Sequence, residues 1–193
     1  MEELRVRPAS EPDVDEVAGL IHGAPGREAV ALLGGEAPAR RFGFALTLAR
    51  GRLEGWDRTL IAEQQGVPVG VLQWRVPSRH ARSSRSLALA ALRALGPAGT
   101  ARAWWRERIR RRIDPVPPPD AFHIEEIHAA PRLRGSGIGT RLLAHAETLA
   151  RDLGCREMSL VTHTENPAQR LYRRMGFEET ERRVDPRYLE LVG

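Results

Sequence analysis

The stretch AFHIEEIHAAPRLRGSGIGTRLL, residues 121–143, changes its periodicity twice. Ala121 to Ala129 alternates in the manner of a half-buried strand, and Pro131 stops it. Arg134-Gly135-Ser136-Gly137-Ile138-Gly139 follows, and then a Leu- and Ala-rich pattern with helical spacing. Glycines at 135, 137 and 139 remove the side chains that would hold an anion away from the main chain. The helix beginning there leaves its first N–H groups unpaired and carries a partial positive charge at that end. Strand, glycine turn and helix start, in this order, make a site for a phosphate or pyrophosphate.

Spacing narrows the ligand. A P-loop needs a Lys after its last glycine, but Thr140 and Arg141 follow, and the chain contains no lysine. A dinucleotide fingerprint wants a glycine where Thr140 stands and belongs to the first strand of its domain. A second segment, TENPAQRLYRRMGF (Thr164–Phe177), reads as another helix. Asn166 suits its N-cap and Pro167 its first position. Ala168, Leu171, Tyr172 and Met175 share one face, and Gly176 ends the helix.

Arg134, Gly137 and Gly139, as Arg-x-x-Gly-x-Gly after a strand, resemble the pyrophosphate loop of the GNAT family of N-acetyltransferases. The Asn-to-Gly-Phe segment is similar to that family's second signature, and the two stand in the family's order from Ala121 onward. The resemblance implies acetyl-CoA as co-substrate and a primary amine, on a small molecule or a protein, as acceptor. It also implies main-chain contacts from Ile127, His128 and Ala129 to the pantetheine arm. The pyrophosphate would fall to Arg134, Gly135, Ser136, Gly137, Ile138, Gly139 and Thr140. The N–H of Ile127 or Ala129 would stabilise charge on the thioester oxygen. Tyr172 matches the tyrosine that protonates the leaving thiolate, a direction its ordinary pKa near ~10 allows. Asn166, carried over as a cofactor contact, stands six residues before this tyrosine, where the family places it seven before and Glu165 stands here.

For the base, alternation puts His123, Glu125, Ile127 and Ala129 on one side of the strand, and Ile124, Glu126 and His128 on the other. Glu125 is then the catalytic base, with His123 as helper or alternate. The bland reading pairs Glu125 with one of the many arginines. Glu126 is expected to face away, toward a structural partner. His123, His128 and His163 have no metal-ligand spacing, so no metal is expected.

The 193 residues suit a single domain, 1–193, and 41% hydrophobic content suffices for its core. No apolar stretch reaches membrane-span length, and Met1-Glu2-Glu3 is unlike a signal peptide, so a cytoplasmic setting is expected. The single Cys155 allows no internal disulfide and reads as a small packed residue. Strands are expected at Leu4–Arg7, Arg58–Gln64, Pro68–Val76, Ala121–Ala129, Arg156–His163, Phe177–Val184 and Tyr188–Val192. Gln65-Gly66 marks a hairpin. Helices are expected from Glu11 to about His22, and at Pro38–Arg50 and Gly137–Leu153, besides the signature helix. The class is α/β: a mixed twisted sheet of the acetyltransferase type with flanking helices and a helical insert before the central strand.

That insert, with its Pro-rich linker, covers residues 78–119. Between Ser78 and Ile113 stand ten Arg and one Glu, in a chain whose net charge is only +5. Leu87, Leu89, Leu92 and Leu95 suggest one buried helix face, and Trp104, Trp105, Ile109 and Ile113 a second. The first expectation is a helical hairpin with solvated arginines. A lid over the acceptor site is the second, and a nucleic-acid or anionic-membrane surface the least favoured. A homodimer is compatible with the sequence but not selected by it. The competing function is a non-catalytic acyl-CoA-binding module that docks through the basic insert.

Overall fold

Gln65 and Gly66, with φ of 54° and 76°, form the tight turn that the hairpin requires. They join β2 (Thr59–Gln64) to β3 (Val67–Arg75) in a computed structural model that describes residues 4–23, 29–30, 33–80, 84–110 and 115–183. With β1 (Arg5–Pro8), β4 (Phe122–Ala129) and β5 (Met158–Leu160), these make a five-stranded sheet in chain order. The first four strands pair antiparallel, and β5 pairs parallel to β4. The sheet is therefore mixed, as expected.

One face of this sheet carries the core. Leu60, Ala62, Leu72, Trp74, Phe122 and Ile124 pack with α4 (Ile138–Asp152), which buries Ile138, Leu142, Leu143, Ala146 and Ala150 at helical spacing. Burying one such Leu contributes about 1.5–3 kcal/mol. At Gly70 the helix comes down onto β3: a Cβ there would lie 2.4 Å from Cγ2 of Ile138. Trp74 stacks on Phe122 with ring centroids 4.6 Å apart. The helix α4 ends in a left-handed Gly154 (φ 72°), with Gly154 N–H donating to Arg151 O and Cys155 N–H to Ala150 O, both at 2.9 Å. Cys155 is thereby set, half-buried, against the core. These elements form one compact unit, drawn from residues 1–10, 57–81 and 116–181.

A second unit lies within residues 11–56 and 82–115 and is helical. It contains α1 (Val14–His22), α2 (Glu36–Glu54) and α3 (Ser84–Arg110). Ala39, Gly43, Thr47 and Gly51 recur every fourth position along α2 and are buried. This row of small residues lets neighbours approach closely. A Cβ at Gly43 would overlap the His22 ring of α1.

The insert is helical, but its faces differ from the expectation. Gly96 (φ 66°, ψ −179°) and Pro97 break α3 into two segments. Ala90 and Ala91 are buried, whereas Leu89 and Leu92 are exposed. Trp104 is exposed too, with the Arg108 guanidinium 5.1 Å over its ring. Helical periodicity locates a face, but size did not decide which one is buried. The side chains of Leu87, Trp105 and Ile109, and all of Ile113, lie outside the described residues. Phe177–Arg183 forms no strand, and Tyr188–Val192 lies outside the described residues. Arg156–His163 shortens to the three residues of β5.

Candidate active site

Between β3 and β4 the register slips: Gln73 opposes Glu126, but Trp74 opposes Ile124. Glu125 is the extra residue, a β-bulge, and it inverts the alternation. Ile127 lies opposite Leu72 and Ala129 opposite Gly70, so both join Phe122 and Ile124 on the core face. The expected grouping of Ile127 and Ala129 with His123 and Glu125 is corrected accordingly. His123, Glu125, Glu126 and His128 instead gather with Gln73 and Arg75 on the opposite face. Two adjacent glutamates between apolar neighbours were the available sign of this insertion, because regular alternation would have put one of them in the core.

The four side chains are differently engaged. Glu125 Oε1 takes the Arg75 Nε at 2.9 Å, with the two side chains only 11% and 12% exposed. The arginine pairing of the bland reading is therefore present. His123 is buried, with Nδ1 3.0 Å from Ser159 Oγ. Glu126 Oε2 lies 2.8 Å from His128 Nε2, and these side chains are 42% and 35% exposed. Glu126, expected to face away, thus shares the face of Glu125 and is the more accessible carboxylate of the two.

Beside these residues β4 and β5 part. Their pairing covers only Phe122, His123 and Ile124, opposite Met158, Ser159 and Leu160, while β3 accompanies β4 to its end. Ala130 N–H donates to Val69 O at 2.8 Å. By alternation the His128 main chain also turns toward β3, leaving that of Ile127 and Ala129 on the open edge. Of the expected trio, Ile127 and Ala129 have their main chain on the open edge, and His128 does not.

The open edge leads into the glycine loop. A 3-10 turn at Pro131–Leu133 is followed by Ser136, whose hydroxyl donates to Leu133 O at 2.7 Å. Gly135 and Gly137 have φ of 83° and 91°, a region where a side chain is strained. Gly137 caps α4 without any side-chain hydrogen bond, and the first turn holds no acidic residue. The first helical bond is Arg141 N–H to Gly137 O, at 3.0 Å, so the N–H groups of Ile138, Gly139 and Thr140 precede the ladder. Gly139 serves packing: a Cβ there would lie 2.7 Å from Leu171 Cδ2.

Leu171 belongs to α5 (Gln169–Arg174), which starts two residues later than Pro167. Asn166 fixes its entry, with Oδ1 accepting Ala168 N–H and Nδ2 donating to Thr162 Oγ1, both at 2.9 Å. At the other end Gly176 (φ 84°) completes a double closure: Phe177 N–H donates to Tyr172 O at 3.0 Å and Gly176 N–H to Arg173 O at 3.1 Å. Phe177 then meets Tyr172 edge-on, with centroids 6.0 Å apart. Tyr172 is buried, and its pKa is raised, first by burial and then by the negative charge of Glu126. Its hydroxyl thus holds its proton more firmly than a free phenol, and it lies within the electrostatic reach of the Glu126 carboxylate.

A mixed sheet thus parts beside an uncapped, glycine-led helix start, a place suited to a phosphate-bearing ligand. A model of the acetyltransferase (GNAT) family matches residues 36–177, and the chain belongs to that family. Among curated proteins it is 42% identical over 62 residues to an aminoglycoside N(6')-acetyltransferase type 1 of Stenotrophomonas maltophilia, covering 32% of this chain and 40% of that protein. It is 49% identical over 55 residues to the streptothricin acetyltransferase of Streptomyces lavendulae, covering 28% and 29%. The chain thus matches less than half the length of these relatives. A solved aminoglycoside N-acetyltransferase in complex with CoA shares the fold at TM-score 0.58 and 21% identity, over 96% of this chain and 94% of that one. Among the described residues no helix is long and apolar enough to cross a membrane.

Proposed function

We propose that the chain is an acetyl-CoA-dependent N-acetyltransferase acting on a primary amine of a small molecule. The observation that carries this reading is the open edge of β4, running directly into the uncapped start of α4. Ile127 and Ala129 offer main-chain groups to the amides of an extended pantetheine arm. The first amides of α4 meet the pyrophosphate, with Arg134 beside them. An N–H of Ile127 or Ala129 stabilises the oxyanion as the amine attacks the thioester carbon. The C–S bond then breaks, and the Tyr172 hydroxyl gives its proton to the departing sulfur.

The attacking amine must first lose a proton. Glu126, hydrogen-bonded to His128, is the base we favour, acting directly or through one water. Glu125 and His123 are the second choice, because one is ion-paired and the other buried. Two neighbouring carboxylates also suit an acceptor that arrives as an ammonium. The similarity to aminoglycoside and streptothricin acetyltransferases supports polyamine antibiotics as the first acceptors to try. Thiol release from acetyl-CoA, measured over a panel of aminoglycosides, streptothricin, simple diamines and peptide amines, tests the reading. Acceptor-dependent release is expected. Micromolar CoA binding without release for any amine would instead favour the acyl-CoA-binding module.

A further inference from the structure

The helical unit carries a groove that the transferase reading does not use. It lies between α2 and α3, has a volume of about 480 Å³, and is lined by Arg40, Arg41, Phe44, Ala45, Arg93 and Ala94. Its walls are of two kinds. Phe44 and the two alanines form an apolar floor, and Phe44 keeps 38% of its surface exposed. Arg40, Arg41 and Arg93 border that floor. Arg40 makes a long 3.4 Å contact to the exposed Glu36, while Arg41 and Arg93 have no ion pair among the described residues. Leu89, one turn before Arg93 on α3, adds a further exposed apolar side chain.

Solvation alone explains the arginines but leaves the apolar floor in water. A neutral apolar ligand would cover the floor and leave the charges of Arg41 and Arg93 beside it uncompensated. A cationic one would meet repulsion. One kind of ligand satisfies both: a small organic anion whose carboxylate meets the guanidiniums and whose aryl or alkyl body covers Phe44. We propose that this groove binds an aryl or alkyl carboxylate, at a site separate from the glycine loop. The proposal does not depend on the transferase reading.

Calorimetric titration with naphthoate, naphthylmethanol and naphthylmethylamine at about 150 mM salt tests the proposal, because screening at that strength removes loose surface attraction. Naphthoate is expected to bind with a Kd of about 1 mM or tighter, and at least tenfold more tightly than the alcohol or the amine. An Arg41→Gln/Arg93→Gln double variant and a Phe44→Ala variant should each weaken naphthoate at least tenfold. Arg134→Gln, at the glycine loop, should leave it unchanged. Equal affinity for acid and alcohol overturns the proposal, as does unchanged binding in the groove variants. Loss of binding in Arg134→Gln alone would place the anion on the glycine loop and overturn it as well. The substituted side chains are exposed, and matching thermal melts verify that the variants remain folded.

Discussion

Tyr172 is held from three directions: by burial in the core, by the edge of Phe177, and by the double closure at Gly176 that fixes the end of its helix. A hydroxyl so placed with a raised pKa remains a proton donor throughout the neutral range. Tyr172→Phe keeps the ring and removes the proton. Turnover should fall by roughly ten- to a thousandfold while CoA affinity, measured by calorimetry, stays within about twofold. Unchanged turnover would make Tyr172 a packing residue. Glu126→Gln tests the same proton path from the other end. Turnover with a good acceptor should fall by roughly ten- to a thousandfold, whereas Glu125→Gln should retain more of it. Tyr172 was legible through the family resemblance of its short segment, a local match. The face on which Glu126 lies was not legible, because it depends on an extra residue in β4 that becomes visible only against β3.

At the scale of elements, the glycine loop and α4 were legible because each signal is local: positive-φ glycines, a helix period, a closing glycine. The same glycines now separate into two roles. Nothing lies near a Cβ at Gly137, but its φ of 91° penalises any side chain there, and a branched one would stand over the open amides. Gly137→Val should therefore abolish detectable CoA binding, with a loss of about 1–3 kcal/mol in stability. Gly139→Ala meets Leu171 and should lower the melting temperature while CoA still binds. Calorimetry combined with thermal melts distinguishes the two. The strand expected from Phe177 failed for a non-local reason: apolar alternation does not guarantee a neighbouring strand to pair with. The segment after β3 offers a further measurable property. His80 Nδ1 accepts Val76 N–H at 3.0 Å, and its pKa is lowered by burial and then by Arg58. A folded-state pKa below the unfolded value of about 6.5 means that the unfolded chain takes up the proton first. His80 thus contributes stability above pH ~6.5 that is lost as pH falls below it. His80→Gln should flatten the fall in melting temperature between about pH 6.5 and 5, and an unchanged slope would remove His80 from the account.

For the whole molecule, the mixed fold followed from the order of its periodic segments, but the meaning of its charge did not. Six of the ten arginines between Ser78 and Ile113 stand on α3, a helix broken at Gly96, where Arg93 borders an apolar groove and Arg108 lies over Trp104. Guanidiniums engaged with apolar and aromatic surface need no polyanion to explain them. A nucleic-acid surface requires many phosphates to be neutralised together, and its affinity then falls steeply with salt because each contact releases counterions. We therefore expect this protein to bind duplex DNA and structured RNA weakly at about 50 mM salt and not measurably at about 150 mM, where specific binders still hold. Gel-shift titrations at both strengths check this, with Arg93→Gln and Arg108→Gln as companions. Micromolar binding at the higher salt, weakened by those substitutions, would show that the insert reads a phosphate backbone. It would also turn the functional reading toward a nucleic-acid-docked acyl-CoA-binding module.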